Sequence, residues 1–245
     1  MIFLQYLLPQ HLLSKLMFRF ARIENEWIKN TFTSWFINKH QVNLAEAESD
    51  NISDYAHFND FFTRSLKPQA RPISESEIIS PVDGVVSQAG KVKDSQILQA
   101  KGHHFSISQL LAGESIEKIE NGHFATIYLA PKDYHRIHMP IDGKLVSMRY
   151  IPGNLFSVNH KTVNKVNRVF ARNERLVCLF DTVFGRVAFV MVGAIFVGSM
   201  ETSWHGQVTP PYVKVPKIYD YTEKEFELFK GEELGRFNMG STVIM

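Results

Sequence analysis

Cysteine is almost missing from this sequence. The 245 residues include one, Cys178, so an internal disulfide and a cysteine-built zinc site are both excluded. Cys178 lies in the apolar run Leu176-Val-Cys-Leu-Phe180, which reads as a small buried thiol in a reducing compartment. Long hydrophobic runs are missing as well. Met1 to Leu8 is apolar, but Gln5, Pro9, Gln10, His11, Ser14 and Lys15 interrupt it well short of the roughly 20 residues a spanning helix needs. No Lys or Arg precedes that stretch and no small-residue cleavage site follows, so a secretory signal peptide is not expected. The net charge is only +2, which argues against a nucleic-acid partner. Low-complexity segments are absent, and 44% apolar with 21% charged residues is the composition of an ordinary folded chain.

The N-terminus carries a helical pattern. Leu12, Leu16, Phe20, Ile23 and Trp27 recur at steps of three and four, one face of a helix, with Lys15, Arg19, Arg22 and Glu26 mostly off it. Ile28, Phe32, Trp35 and Phe36 continue the pattern after an expected break near Asn30. Across residues 1–40, five Lys/Arg stand against two Glu. Such a face suits a helix lying in a membrane interface and equally one packed on its own domain.

Beyond this, Tyr55 to Arg64 reads as a short helix capped by Asn59 or a neighbour, and residues 66–78, with Pro68 and Pro72, as a linker. The texture then changes to short apolar runs divided by turn residues: Gly84-Val-Val, Ile97-Leu98, 124–130, 144–151, 175–180 and 186–192. Helices do not alternate with them, apart from a short one at Ser106 to Leu111. The expected fold class is therefore α+β, a mainly antiparallel β core preceded by amphipathic N-terminal helices. Gly193, Gly198 and Gly206 mark expected bends in the later strands. Two domains are expected, a helical region over 1–65 and a β-rich domain over 66–245. Pro81-Val-Asp83-Gly84 and Pro140-Ile-Asp142-Gly143 form a weak repeat that hints at two related β halves, though each is also an ordinary turn signal.

Two segments could carry chemistry. Gly240-Ser241-Thr242 precedes the β-branched Val243 and Ile244. A glycine there leaves its carbonyl open, so Ser241 is either a plain bend residue or an internal nucleophile aimed at Gly240. Pro131 to Pro140 contains His135-x-x-His138. In an extended segment that spacing sends the two rings to opposite faces, so they would share neither a metal nor a task, and no metal site is expected. Histidine is better suited to proton transfer near neutral pH. Asp83 or Asp142, His135 or His138, and Ser241 thus supply the residue types of an acyl-transfer triad.

Six motifs narrow this further. Ser80-Pro-Val-Asp-Gly84, Gln99-Ala-Lys-Gly-His103, Tyr134-His-Arg-Ile-His-Met-Pro140, Pro152-Gly-Asn-Leu-Phe-Ser-Val-Asn-His160, Phe170-Ala-Arg-Asn-Glu-Arg175 and Met239-Gly-Ser-Thr242 resemble, in order, those of the bacterial, membrane-associated phosphatidylserine decarboxylases. The resemblance spans almost the whole chain. Met239 stands where the family has leucine, a change of similar volume and apolarity from which no loss of activity is expected. Family members continue past the strand after the serine, whereas this sequence stops at Met245.

The resemblance implies a self-cleaving proenzyme. Asp83 would orient His138, and His138 would deprotonate Ser241, which attacks Gly240. The products are a β chain ending at Gly240 and an α chain from Ser241 whose first residue becomes a covalent pyruvoyl group. That group, with neither a metal nor pyridoxal phosphate, would form an imine with the amine of phosphatidylserine and take up the electrons released with carbon dioxide, giving phosphatidylethanolamine. His135 would serve the decarboxylation. A homodimer, peripheral on the cytoplasmic face of the cell membrane, is also implied, with the interfacial role of the N-terminal helices. Two other classes fit less well. An ordinary serine hydrolase would lack Gly-x-Ser-x-Gly and keep its nucleophile four residues before Met245. A catalytically dead membrane-binding relative would remain one uncleaved chain.

Overall fold

Helices form first along the chain. A computed structural model describes residues 2–100, 102–113, 119, 121–196 and 199–245; the motif residue Lys101 and the strand glycine Gly198 lie outside them. It opens with α1 (Ile2–Leu7), α2 (Gln10–Phe20) and α3 (Glu26–His40), followed by α4 (Phe58–Phe62). The apolar face expected to run from Leu12 to Trp27 is divided between two helices. The chain turns over residues 21–25, and Asn25 starts α3 by accepting the Ile28 N–H at 3.1 Å. Asn30, where a break was expected, lies inside α3. The cap of α4 is the His57 ring, which accepts from the Asp60 N–H at 3.0 Å, and not Asn59. Facing aromatic side chains of α3 and α4, Phe36, Phe58, Phe61 and Phe62, pack with Ala21, Val42 and Tyr55 into a separate cluster.

The strands and the remaining short helices are β1 (Val85–Lys91), β2 (Gln96–Ala100), β3 (His103–Ser106), α5 (Ile107–Leu111), β4 (His123–Tyr128), β5 (Arg136–His138) and β6 (Gly143–Ile151). They continue with α6 (His160–Val163), α7 (Val169–Arg172), β7 (Arg175–Thr182), β8 (Gly185–Val192), β9 (Met200–Thr202) and β10 (Gly206–Gln207). The last four are β11 (Lys217–Asp220), β12 (Glu227–Leu228), β13 (Glu233–Phe237) and β14 (Thr242–Ile244). Antiparallel pairing builds the main sheet in the order β1-β4-β14-β8-β7-β6-β11, with β12 also on β6. A second sheet runs β10-β9-β13-β5, and β2 pairs with β3. The two Asp-Gly pairs enter β1 and β6 of one sheet, so they do not mark two separate halves.

Alternation along the strands feeds two cores. Val177, Leu179, Val190, Val192 and Ile244 join the cluster under β2, β3, α5 and α7, while Leu176, Cys178, Phe189, Met191 and Val243 join the one shared with β5, β9 and β13. The last strand therefore pins both layers. Thr242 pairs with Tyr128 and Val192, and Ile244 with Thr126 and Val190.

Buried polar side chains hold the loops that join these strands. Gln99 donates to the Val163 and Val166 carbonyls and accepts from the Val169 N–H. Asn173 clips two loops together. Its amide nitrogen donates to the Phe156 and Gly193 carbonyls, and its oxygen accepts from the Phe156 N–H. The N-terminal helices join this frame: Gln5, Gln10 and Ser14 accept from the backbone N–H groups of Ser157, Leu155 and Phe196. Next to Asn173, the fully buried Glu174 accepts from the Tyr150 hydroxyl at 2.9 Å. Burial pushes its carboxyl up to about 8.

Two measurements follow. Ile244→Ala should lower stability by about 2–5 kcal/mol, seen as a lower urea midpoint, because the site lies between fixed strands that cannot collapse around a cavity. A shift under about 0.5 kcal/mol, the size of a surface effect, would mean that β14 is not held as described. An unfolded Glu174 releases its proton near 4.5 and the folded one near 8, so its contribution is complete below pH 4.5 and is lost as pH rises through 8. Glu174→Gln should flatten the melting temperature over that window, and an unchanged slope would remove Glu174 as its cause.

Candidate active site

Residues 238–241 link β13 in the smaller sheet to β14 in the main one. Their geometry follows from what lies on either side. The Ser241 carbonyl accepts from the Leu129 N–H at 2.9 Å, which aligns the start of β14. Its side chain is buried, and Oγ has no hydrogen-bond partner among the described residues. A buried hydroxyl left unpaired costs about 1–3 kcal/mol, so it is poised for a partner that the resting chain does not supply. Gly240 lies directly against the His135 ring, and a Cβ at that position would overlap the ring atoms. Only glycine fits.

His135 is fully buried and stacks on Phe62 with ring centroids 4.1 Å apart. Neither ring nitrogen has a hydrogen-bond partner in normal geometry among the described residues. Burial, reinforced by the Arg64 charge, pushes the ring down to about 3, so it is neutral at physiological pH. His135, Gly240 and Ser241 line a cavity of about 390 Å³. Phe32, Trp35 and Phe36 of α3 form one wall, and residues 157–159 and 194–196, the loops clipped by Asn173, form another.

His138 is set differently. Its Nδ1 lies 2.8 Å from the Gly231 carbonyl and its Nε2 2.9 Å from the Tyr134 hydroxyl. A carbonyl can only accept, so Nδ1 carries the proton and Nε2 accepts from Tyr134. Asp83 is held by Arg71, whose Nε donates at 2.8 Å and whose other end reaches Glu46 at 2.9 Å. Asp83 and His138 share a second cavity, of about 650 Å³, with Tyr134 and Arg136. The extended backbone thus sends the two histidines to different cavities, and the ring beside Ser241 is His135. Asp142 is apart from both, its carboxylate accepting from the Lys230 N–H at 2.6 Å. Among the described residues, no group of three His, Cys, Asp or Glu side chains is placed to hold a metal.

Several contributors escaped the sequence. Arg71 and Glu46, which fix Asp83, come from the linker and the segment before it, and nothing in their local pattern marks them. Phe62 and Arg64, which set the environment of His135, lie in a stretch legible only as a short helix. The quoted Gln99 and Asn173 motifs are loop clips, a role that spacing alone does not disclose. Tyr134 lay in plain view beside His135, and its i, i+4 relation to His138 was the available signal.

The profile of the family described as phosphatidylserine decarboxylase matches residues 58–245, and a second profile, described as PSD, matches residues 1–41. Relatives named phosphatidylserine decarboxylase proenzyme include one from Methylobacillus flagellatus, 51% identical over 99% of this chain and 87% of its own. Another from Pseudomonas putida is 52% identical over 98% of this chain and 86% of its own. One from Shewanella amazonensis is 51% identical over 100% and 88%.

Proposed function

This chain belongs to the phosphatidylserine decarboxylase family, proenzymes that cleave themselves and convert phosphatidylserine to phosphatidylethanolamine, and from that premise we infer that Ser241 is its nucleophile and the source of its pyruvoyl group. The observation that carries this reading is the unpaired, buried Ser241 Oγ next in the chain to Gly240, a position where only glycine fits against the His135 ring. Oγ adds to that carbonyl as its proton passes to a base, and the C–N bond breaks to leave an ester and a protonated amine. Loss of the Ser241 α-proton expels Gly240 as a carboxylate and leaves dehydroalanine. Water then replaces its nitrogen, releasing ammonia and leaving a ketone.

The residues present fit a pyruvoyl group at position 241: it would sit directly before β14 and face the largely apolar cavity of His135. When in place it supplies a carbonyl that takes the substrate amine and an electron sink for decarboxylation. Around it, the cavity excludes water, and the neutral His135 ring offers one N–H that can hold the substrate carboxylate. For cleavage the choice of base turns on environment. A ring held near 3 is a poor acceptor for a serine proton, whereas His138 has a carbonyl to orient it and Asp83 in the same cavity. We therefore assign cleavage to Asp83 and His138 and decarboxylation to His135. This assignment requires His138 and Ser241, which line different cavities, to come within reach.

We assign residues 1–65 to membrane association and 66–245 to catalysis, in a homodimer peripheral on the cytoplasmic face of the cell membrane. No helix among the described residues is long and apolar enough to cross a membrane, yet Leu7, Leu12, Leu16, Trp27 and Trp35 of the first three helices are exposed. An apolar, aromatic face with flanking cations supports interfacial binding next to the candidate cavity.

Ser241→Ala should stay a folded, uncleaved chain on a denaturing gel, and two-chain product from it would end the reading. His138→Ala should remain mainly uncleaved. His135→Ala should cleave yet release carbon dioxide about 10²–10⁴-fold more slowly. Should His138→Ala cleave normally while His135→Ala does not, the base is His135. Leu12→Glu with Leu16→Glu should shift the protein from liposome-bound to free in flotation while leaving cleavage intact; unchanged flotation would reject the interfacial placement.

A further inference from the structure

We propose that residues 160–172 form a cationic rim through which this protein prefers bilayers rich in anionic phospholipid headgroups. The proposal rests on the interfacial placement of the N-terminal helices and specifies the lipid they meet. From Asp142 to Glu174 the chain has no acidic residue between, and Lys161, Lys165, Arg168 and Arg172 fall within its last thirteen positions before Asn173. Lys161, Lys165 and Arg168 are exposed, and no ion pair among the described residues engages any of the four. Arg71, Arg136 and Arg186, by contrast, each pair with a carboxylate. A run of unpaired like charges repels itself, which makes sense where an opposite charge arrives from outside.

Its position decides the partner. Thr162 in α6 accepts from Gln5 of α1 at 3.4 Å, and the Ser157 N–H donates to the same side chain at 2.9 Å. The rim is thus tied to the helix that exposes Tyr6 and Leu7, with Leu12 and Leu16 on the next helix. Arg172 reaches furthest inward. Its guanidinium lies 5.6 Å from the Tyr6 ring centroid and 5.0 Å from that of Phe156, a placement that holds the side chain without using its donors on a carboxylate. It opens on a cavity of about 340 Å³ whose other polar side chains include His11 and Asn154, with Leu8 and Leu12 at the apolar side. Cationic donors beside apolar residues match the chemistry of a lipid phosphate at the boundary with its acyl chains. Converting phosphatidylserine to phosphatidylethanolamine removes one negative charge from the surface per turnover. The rim therefore grips where substrate is plentiful and loosens where it has been consumed.

The experiment is flotation of the processed enzyme with phosphatidylcholine vesicles and with the same vesicles containing phosphatidylglycerol, which supplies headgroup charge without substrate. Each basic residue near an anionic surface is worth about fivefold in partition, so the wild type should favour the anionic vesicles by on the order of a hundredfold. Salt should erase that preference. Lys161→Gln with Lys165→Gln and Arg168→Gln should lower it by about a hundredfold, while binding to phosphatidylcholine, self-cleavage and turnover of a soluble short-chain phosphatidylserine stay unchanged. Equal wild-type binding to both vesicles, a salt-independent preference, or a triple variant that keeps the preference each overturns the rim alone. Failure to bind either vesicle would instead reject the interfacial placement on which the rim rests.

Discussion

Backbone pairing on both sides of β14 is the constraint from which the rest follows. A bond can be broken just before a strand without losing that strand only if the strand is held independently of the bond. Here Thr242, Val243 and Ile244 pair with β4 on one side and β8 on the other, and the Val243 and Ile244 side chains enter one core each. Full burial of a residue such as Ile244 adds roughly 1.5–3 kcal/mol to the ladder. Position 241 therefore keeps its place relative to Leu129 and the cavity whether or not it remains joined to Gly240. The requirement for glycine at 240 is the complementary condition, since the His135 ring occupies the space of a side chain.

A buried polar frame then carries that position outward. Gln99, Asn173, Gln10 and Ser14 all bond backbone groups of loops that would otherwise be buried unsatisfied, at about 1–3 kcal/mol for each orphan. Because Gln10 and Ser14 belong to α2, the walls of the Ser241 cavity and the amphipathic helices form one connected unit. A surface helix and the loops lining the candidate cavity are in this way parts of the same hydrogen-bonded structure.

Environment separates the two histidines that lie three residues apart. His135 is dry, stacked on Phe62 and close to the Arg64 charge, so its neutral form prevails. His138 has a hydrogen-bond partner on each ring nitrogen and a tautomer fixed by Gly231. The same side chain on the same segment thus meets two chemistries, and the division of labour proposed for them follows from solvation and hydrogen bonding.

Local patterns were legible in the sequence because they depend on neighbours a few residues away. Short apolar runs located β4, β6, β7 and β8, Ser106 announced α5, Cys178 read as buried, and an extended His135-x-x-His138 spacing implied opposite faces. The ordered motifs identified the family and marked Ser241. Other features needed the tertiary structure. That β14 lies between β4 and β8 joins residues more than a hundred positions apart at β4, and no local period encodes such a pairing. Which histidine touches Gly240, the hold of Arg71 on Asp83 and the contact of Gln10 with Leu155 were likewise settled by packing. Even the turn at residues 21–25 was hidden, because an apolar stripe continues in register across a helix break. Periodicity records which face of an element is apolar; only the folded chain determines what that face meets.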